Sequence, residues 1–146
     1  MKTTLSFLTV CVLLAGVQIA AQQGKQAHVT SANAVKFVPL DPSNPGGIQV
    51  SVISGEMMGK GPVVFFMKLP KGPAPLHSHS AGYHATVIRG EAKHWPAGGE
   101  KSAQVLGPRS HWYQPGKQNH GDECVSAECV LLLQMEGGFD FMPAEK

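Results

Sequence analysis

The stretch "APLHSHSAGYHATVIRGEAKHW", residues 74–95, contains four of the seven histidines of this 146-residue chain. His77 and His79 alternate, His84 follows five residues later, and His94 lies near the end. In a β-strand, residues i and i+2 point to the same face, so the first two imidazoles would lie side by side. Imidazole binds Zn, Fe, Cu and Ni in proteins, so this pair indicates a metal site without naming the metal.

Short apolar runs on both sides of this stretch predict an all-β fold. They are separated by turns rich in Pro and Gly, and they show no long hydrophobic period of 3.6 residues. Such runs are typical of a β-sandwich or β-barrel, so we predict one small antiparallel barrel. The predicted strands are "IQVSVIS" (48–54), "PVVFFMKL" (62–69), "HATVIRGEAKHW" (84–95), "SAQVLG" (102–107) and "CVLLLQM" (129–135).

The N-terminus has the pattern of a secretory signal peptide over residues 1–21. Lys2 gives a positive start, residues 5–21 are almost wholly apolar, and Ala20 and Ala21 precede a polar segment. This order predicts cleavage near these alanines and a secreted or periplasmic protein. The alternative is a retained anchor, because about 17 apolar residues are the lower limit for spanning a bilayer.

The rest of the chain is predicted to form an N-terminal arm at residues 22–38 and a single barrel domain at residues 39–146. The formal net charge of the whole sequence is +2, and no run of lysines occurs. We therefore expect no nucleic-acid partner and, after signal cleavage, no stable membrane association.

The histidine spacing resembles the first motif of the cupin superfamily, which runs Gly-x5-His-x-His-x(3,4)-Glu-x6-Gly. It is matched by Gly72, His77, His79 and Gly90, with four residues instead of five between the first two. The resemblance covers about residues 46–141 and is closest to small single-domain exported cupins of unassigned function. It extends more loosely to the cupin domain of zinc-binding anti-sigma factors.

The segment "WYQPGKQNH", residues 112–120, resembles the second cupin motif, which runs Gly-x5-Pro-x-Gly-x2-His-x3-Asn. The match is shifted and involves Pro115, Gly116 and His120, with Gly107 near the place of the first glycine. Two histidines in one motif and a third in the other make the resemblance fairly specific.

The resemblance implies a cupin-type jelly-roll β-barrel whose interior holds one divalent metal ion. His77, His79 and His120 would be its ligands. A three-histidine site with open positions suits zinc with a bound water, or non-haem iron, and manganese and copper are further alternatives.

The glutamate ligand of the cupin motif is missing. Counting back from Gly90 places Tyr83 at its position, whereas counting forward from His79 with the longer gap places His84 there. Strand alternation favours Tyr83 on the inner face, but Gly82 could change the parity. Either residue is therefore a candidate fourth ligand.

The other histidines give weaker signals. His94 and His111 each lie beside a tryptophan near a turn, so we expect surface or packing roles for them. His28 lies in the predicted arm and indicates nothing about chemistry.

Cys124 and Cys129 are the two cysteines that would remain after signal cleavage, in an oxidising compartment. If Ser126 and Ala127 form a two-residue hairpin turn, the cysteines face each other at a distance that suits a disulfide. The alternative is a Cys124 thiolate near the metal, because this residue stands where the cupin motif has Asn.

The sequence is compatible with two functions. In the first, the metal binds a small-molecule substrate and the protein is a metal-dependent enzyme, dioxygenase-like or other. The segments around the histidines show no carboxylate base, since Glu91 lies past the strand and Glu123 beyond the last ligand. The alternative is a non-catalytic protein that binds or senses a small ligand, with a structural metal or none. A homodimer is compatible with both.

Overall fold

The computed structural model describes residues 27–144, so the predicted signal peptide at residues 1–21 lies outside the described residues. In the described part, strands dominate and the only helices are two short 3₁₀ helices, Ala32–Ala34 and Glu100–Ser102. The all-β prediction is therefore confirmed. No helix between residues 27 and 144 is long and apolar enough to cross a membrane.

Within residues 27–144, nine strands form one curled antiparallel sheet. They are β1 (Val38–Pro39), β2 (Gln49–Ser54), β3 (Val63–Pro73), β4 (His77–Ser78), β5 (Tyr83–Arg89), β6 (Ala92–Pro96), β7 (His111–Gln114), β8 (His120–Met135) and β9 (Met142–Pro143). The long strand β8 lies at the centre. It pairs with β3 over most of its length, and also with β4, β5 and β6.

The sheet bends where β5 passes into β6. Both strands run antiparallel to β8, so they follow one line that is interrupted only at Gly90 and Glu91. Ala92 of β6 pairs with Cys124 of β8, whereas Arg89 of β5 pairs with Val130, so the partner position on β8 jumps across this interruption. Gly90 has a φ of 84°, and a Cβ atom there would overlap the carbonyl of Glu128, so only glycine fits. The single strand predicted at 84–95 is therefore divided by a corner that curls the sheet.

A disulfide joins Cys124 and Cys129 across this irregular part of β8. The Cα atoms are 5.7 Å apart, and both side chains are buried. The hairpin turn expected at Ser126-Ala127 does not form, because residues 120–135 continue as one strand. The cysteines approach each other through a bulge in that strand instead. With its sulfur in this bridge, Cys124 is not available as the thiolate considered above.

The hydrophobic core fills the concave side of the curled sheet. Phe65 of β3 is fully buried and meets the ring of Phe139 edge to face, with the ring centroids 5.8 Å apart. The side chains that share this core include Val50, Val63, Met67, Ala85, Val87, Leu131, Leu133 and Met135. They come from alternate positions of neighbouring strands, as expected for a sheet with one buried face.

Two details of the sequence prediction change in the structure. The strand expected at residues 102–107 does not form, because only Leu106 pairs, in an isolated bridge to Ala92. Further on, Arg109 takes a positive φ of 76°, and the chain then enters β7 beside β5. The predicted arm at residues 22–38, described from residue 27, ends in β1, which pairs with β2.

Candidate metal centre

Three buried histidines meet at one end of the core. His77 lies in β4, His79 follows that strand, and His120 is the first residue of β8, directly opposite His77 in register. Their exposed fractions are only 5%, 5% and 0%. One ligand nitrogen from each lies within 4.8 Å of the other two. The structure thus brings together the three histidines that were expected as ligands.

Each of the three rings is oriented by a backbone carbonyl that contacts its Nδ1 atom. The acceptors are the carbonyls of Pro75 for His77 (2.7 Å), Gln118 for His120 (3.0 Å) and Asp140 for His79. A carbonyl oxygen only accepts, so each Nδ1 carries a hydrogen, and in the neutral ring Nε2 keeps its lone pair. Metal-ligating histidines show this arrangement. The donor set therefore fits a single divalent ion of the zinc or iron type.

Burial keeps the imidazoles of His79 and His120 neutral near pH 7. Loss of hydration lowers the pKa of His79, and it lowers the pKa of His120 to about 4, against the opposing effect of the carbonyl bonds at Nδ1. A histidine must be neutral to bind a metal ion. The burial that forms the site thus also holds these two rings in their metal-binding form.

This burial predicts that the metal-free protein loses stability as the pH falls from about 6.5 to about 4. In the unfolded chain His120 takes up a proton near its ordinary pKa of 6.5, whereas in the folded chain it resists protonation to about 4. The unfolded state therefore binds more protons in this window, which favours unfolding by about 3 kcal/mol. Urea denaturation of chelator-treated protein at pH 7 and pH 4 measures the change. His120→Gln is the control, because its loss between these pH values should be smaller; equal losses in both proteins would contradict the prediction.

Asp122 is a site residue that the sequence analysis missed. Its Oδ2 atom lies 3.8 Å from Nε2 of both His77 and His120, and its side chain lines the same cavity. The expectation that these segments lack a carboxylate is therefore wrong. The signal was its position two residues after His120, which places both side chains on one face of β8. The neighbouring Glu123 instead bonds to Lys93 at 3.0 Å.

The Asp122 carboxylate is held in place by His94. The Nδ1–H of His94 donates to Oδ1 at 2.7 Å, and its Nε2 lies 3.1 Å from Oε1 of Gln114. The amide nitrogen of Gln114 donates to two backbone carbonyls, at 3.0 and 3.1 Å, so its oxygen faces His94. This network fixes one carboxylate oxygen and leaves Oδ2 facing the histidines. His94 therefore has more than the surface or packing role expected for it.

Tyr83 and His84, the two candidates for a fourth ligand, point to opposite faces of β5. Tyr83 is buried, and its hydroxyl donates to Nε2 of His120 at 3.2 Å. Burial, reinforced by the charge of Asp122, raises the pKa of Tyr83, so the phenol stays neutral. His84 is exposed on the outer face. Of the two, only Tyr83 reaches the site, and it does so as a hydrogen-bond donor.

Residues 137–143, here called the closing segment, cover part of the histidine cluster. Phe141 lies against the ring of His77 with the centroids 4.5 Å apart, and Oδ1 of Asp140 accepts from the backbone N–H of Ser80 at 2.8 Å. β9, within this segment, pairs with β4. The strand that carries His77 is thus held between β9 on one side and β8 on the other.

A small cavity of about 50 Å³ lies beside His77 and His79, with room for a few water molecules. Its apolar walls include Ile48, Met67, Leu69, Leu131, Leu133 and Phe139. Among its polar groups is the indole of Trp112, whose buried Nε1 makes no hydrogen bond of normal geometry in the described part of the chain, although it lies close enough to the Tyr83 hydroxyl to oppose the rise in the pKa of that phenol. A buried donor without an acceptor is costly, so the cavity favours a ligand that supplies one.

No protein-family model and no curated protein matches the sequence. Solved structures do match. An RmlC-like cupin from Shewanella frigidimarina is 17% identical, with 83% of this chain and 95% of that chain covered and a TM-score of 0.58. The polyketide cyclase RemF from Streptomyces resistomycificus is 15% identical, with coverages of 83% and 87% and a TM-score of 0.62. The DMSP lyase DddQ from Ruegeria pomeroyi is 17% identical, with coverages of 77% and 62% and a TM-score of 0.60.

Proposed function

Since the chain has the cupin fold, we propose that it is a metal-dependent enzyme that acts on a small molecule, with one divalent ion held by His77, His79 and His120. The observation that carries this proposal is the Asp122 carboxylate, 3.8 Å from two of the ligand nitrogens. A metal that only stabilises the fold does not need a carboxylate oxygen turned toward an apolar cavity. A general base requires that placement, within reach of a substrate proton.

The chain's own residues have distinct roles in this proposal. Asp122 accepts a proton from the substrate or from water through its Oδ2 atom, and His94 with Gln114 keeps that atom turned toward the cavity. The N–H of Trp112 donates to an acceptor oxygen of the substrate. A bound zinc, iron, manganese or copper ion would supply Lewis-acid polarisation of the substrate.

The cavity also limits the substrate class. Its small volume and apolar walls favour a compact molecule with a short apolar part and one oxygen-bearing group. Two of the structural neighbours, named as a polyketide cyclase and a DMSP lyase, are enzymes of small molecules, which supports this size class. Export to a secreted or periplasmic location, inferred from residues 1–21, would place the substrate outside the cytoplasm.

A second candidate function is the binding or sensing of a small ligand without turnover. It is favoured by Tyr83, which stands where the cupin motif has its glutamate ligand and which remains a neutral hydrogen-bond donor. In that case the metal and Trp112 would hold the ligand, and the negative charge of Asp122 would only offset the positive charge of the metal ion.

Two measurements test the proposal. Protein reconstituted with Co²⁺ is titrated with acetohydroxamate, and we expect its visible absorption to change because a three-histidine site leaves coordination positions open. The loaded protein is then incubated in D₂O with DMSP and a panel of small carbonyl and carboxylate compounds, and NMR follows product formation and C–H exchange. Exchange or product supports the enzyme. Probe binding with neither supports the binding protein, and no probe binding overturns both functions.

A further inference from the structure

His84 and His111 form a second histidine cluster, on the outer face of the sheet. Nδ1 of His84 lies 3.2 Å from Nε2 of His111, and the rings are nearly parallel, with an interplanar angle of 16°. Both residues are exposed. Neighbouring residues of a strand point to opposite faces, so the buried position of Tyr83 places His84 outside. This pair is thus separate from the buried metal centre.

The register of β5 and β7 keeps the two imidazoles together. His84 pairs with Tyr113, and Thr86 pairs with His111, so the two histidines are diagonal neighbours across the strand pair. Diagonal neighbours in an antiparallel pair are within reach of long side chains. The ring of Tyr113 also lies against His84, with the centroids 4.9 Å apart. The paired backbone therefore brings the two nitrogens together.

Thr86 further orients the pair. Its Oγ1 atom lies 3.3 Å from Nδ1 of His111. When the Nδ1–H of His111 donates to this hydroxyl, its Nε2 lone pair faces His84. When His84 takes the tautomer with its hydrogen on Nε2, its Nδ1 lone pair also faces this point, and a metal ion can bind both nitrogens. A hydroxyl or carbonyl on the second ring nitrogen is the arrangement that supports a ligating histidine.

We propose that His84 and His111 form a second metal site, a two-histidine surface site for a borderline divalent cation. Imidazole pairs suit copper, nickel and zinc, and the general affinity order places Cu²⁺ first. Water completes the coordination, because both residues are exposed. A hydrogen bond between two exposed imidazoles contributes little to stability, so the pair is not required for the fold.

The experiment counts bound Cu²⁺ per chain in tag-free protein by calorimetric titration. In a background where His77, His79 and His120 are all alanine, we expect one saturable equivalent, which His84→Asn or His111→Asn removes. Thr86→Ala is expected to weaken it by about tenfold, as loss of a supporting hydrogen bond does. His28→Asn, an exposed histidine of the arm, is the matched control and should leave binding unchanged.

Two further measurements make the test independent of whether the alanine background folds. If circular dichroism shows that the alanine background is unfolded, the same substitutions are made in the parent, where the count should fall from two to one. The electron paramagnetic resonance spectrum of the surface-bound Cu²⁺ should show coupling to two nitrogens. The absence of a saturable equivalent at this face, or an unchanged count after His84→Asn, would overturn the proposal without affecting the buried centre.

Discussion

A variant with His77, His79 and His120 all replaced by alanine is expected to retain no iron or manganese after dialysis, whereas the parent retains one ion per chain. The three Nε2 atoms are the donors that converge on one point, and each is free of hydrogen because Nδ1 is bonded to a carbonyl. Removing all three leaves Asp122 as the remaining nearby ligand group of the centre. A single carboxylate, with one oxygen already bonded to His94, does not hold such an ion against dialysis.

Metal content by inductively coupled plasma mass spectrometry measures this loss, and a thermal melt gives an independent readout. Metal at a hundred times its dissociation constant should stabilise the parent by about 2.7 kcal/mol and leave the variant unchanged. His28→Ala is the control for the loss of an imidazole elsewhere. A parent that takes up no metal after reconstitution with zinc, iron, manganese or copper would remove the basis of the proposed enzyme.

Asp122→Asn is expected to lower turnover by about 100-fold to 10,000-fold, the range for loss of a general base, while metal content stays at one ion per chain. The amide has nearly the same shape as the carboxylate, and its oxygen still accepts from Nδ1 of His94. What disappears is the acceptor for a substrate proton. The measurement is the rate of exchange or product formation with whichever compound of the panel reacts.

Glu123→Gln is the matched control for this substitution. Glu123 is adjacent in β8 and also loses one negative charge, but its carboxylate bonds to Lys93, away from the histidines. We expect its turnover to match that of the parent. Unchanged turnover in Asp122→Asn would exclude Asp122 as the general base. Loss of the metal in that variant would show that Asp122 is a metal ligand instead.

Local sequence patterns were sufficient to predict the fold and half of the site. Alternation at i and i+2 placed His77 and His79 together, and short apolar runs between turns predicted the sheet. The resemblance to the cupin motifs supplied His120, which is far away along the chain. These features depend on residues close in sequence or on a known pattern.

The rest of the site depends on the register between distant strands. His94 meets Asp122 only because β6 pairs with β8 in a register that places these two residues opposite each other. No local pattern fixes that pairing, since it follows from the corner at Gly90 and the bulge opposite it. For the same reason the approach of Cys124 to Cys129 was assigned to a hairpin rather than to a bulge.

Because backbone carbonyls orient the three histidines, the site is expected to tolerate side-chain substitutions at residues that provide only those carbonyls. Substituting the side chain of Gln118 leaves the accepting oxygen where it is, so the orientation of the His120 ring is set by the path of the main chain. Alanine scanning would therefore overlook these supports. By contrast, a Cβ atom at Gly138 would overlap the backbone of Gly59 and shift the whole segment that carries the Asp140 carbonyl. The most damaging substitution is thus expected at a glycine of the closing segment, two residues before the carbonyl that orients His79.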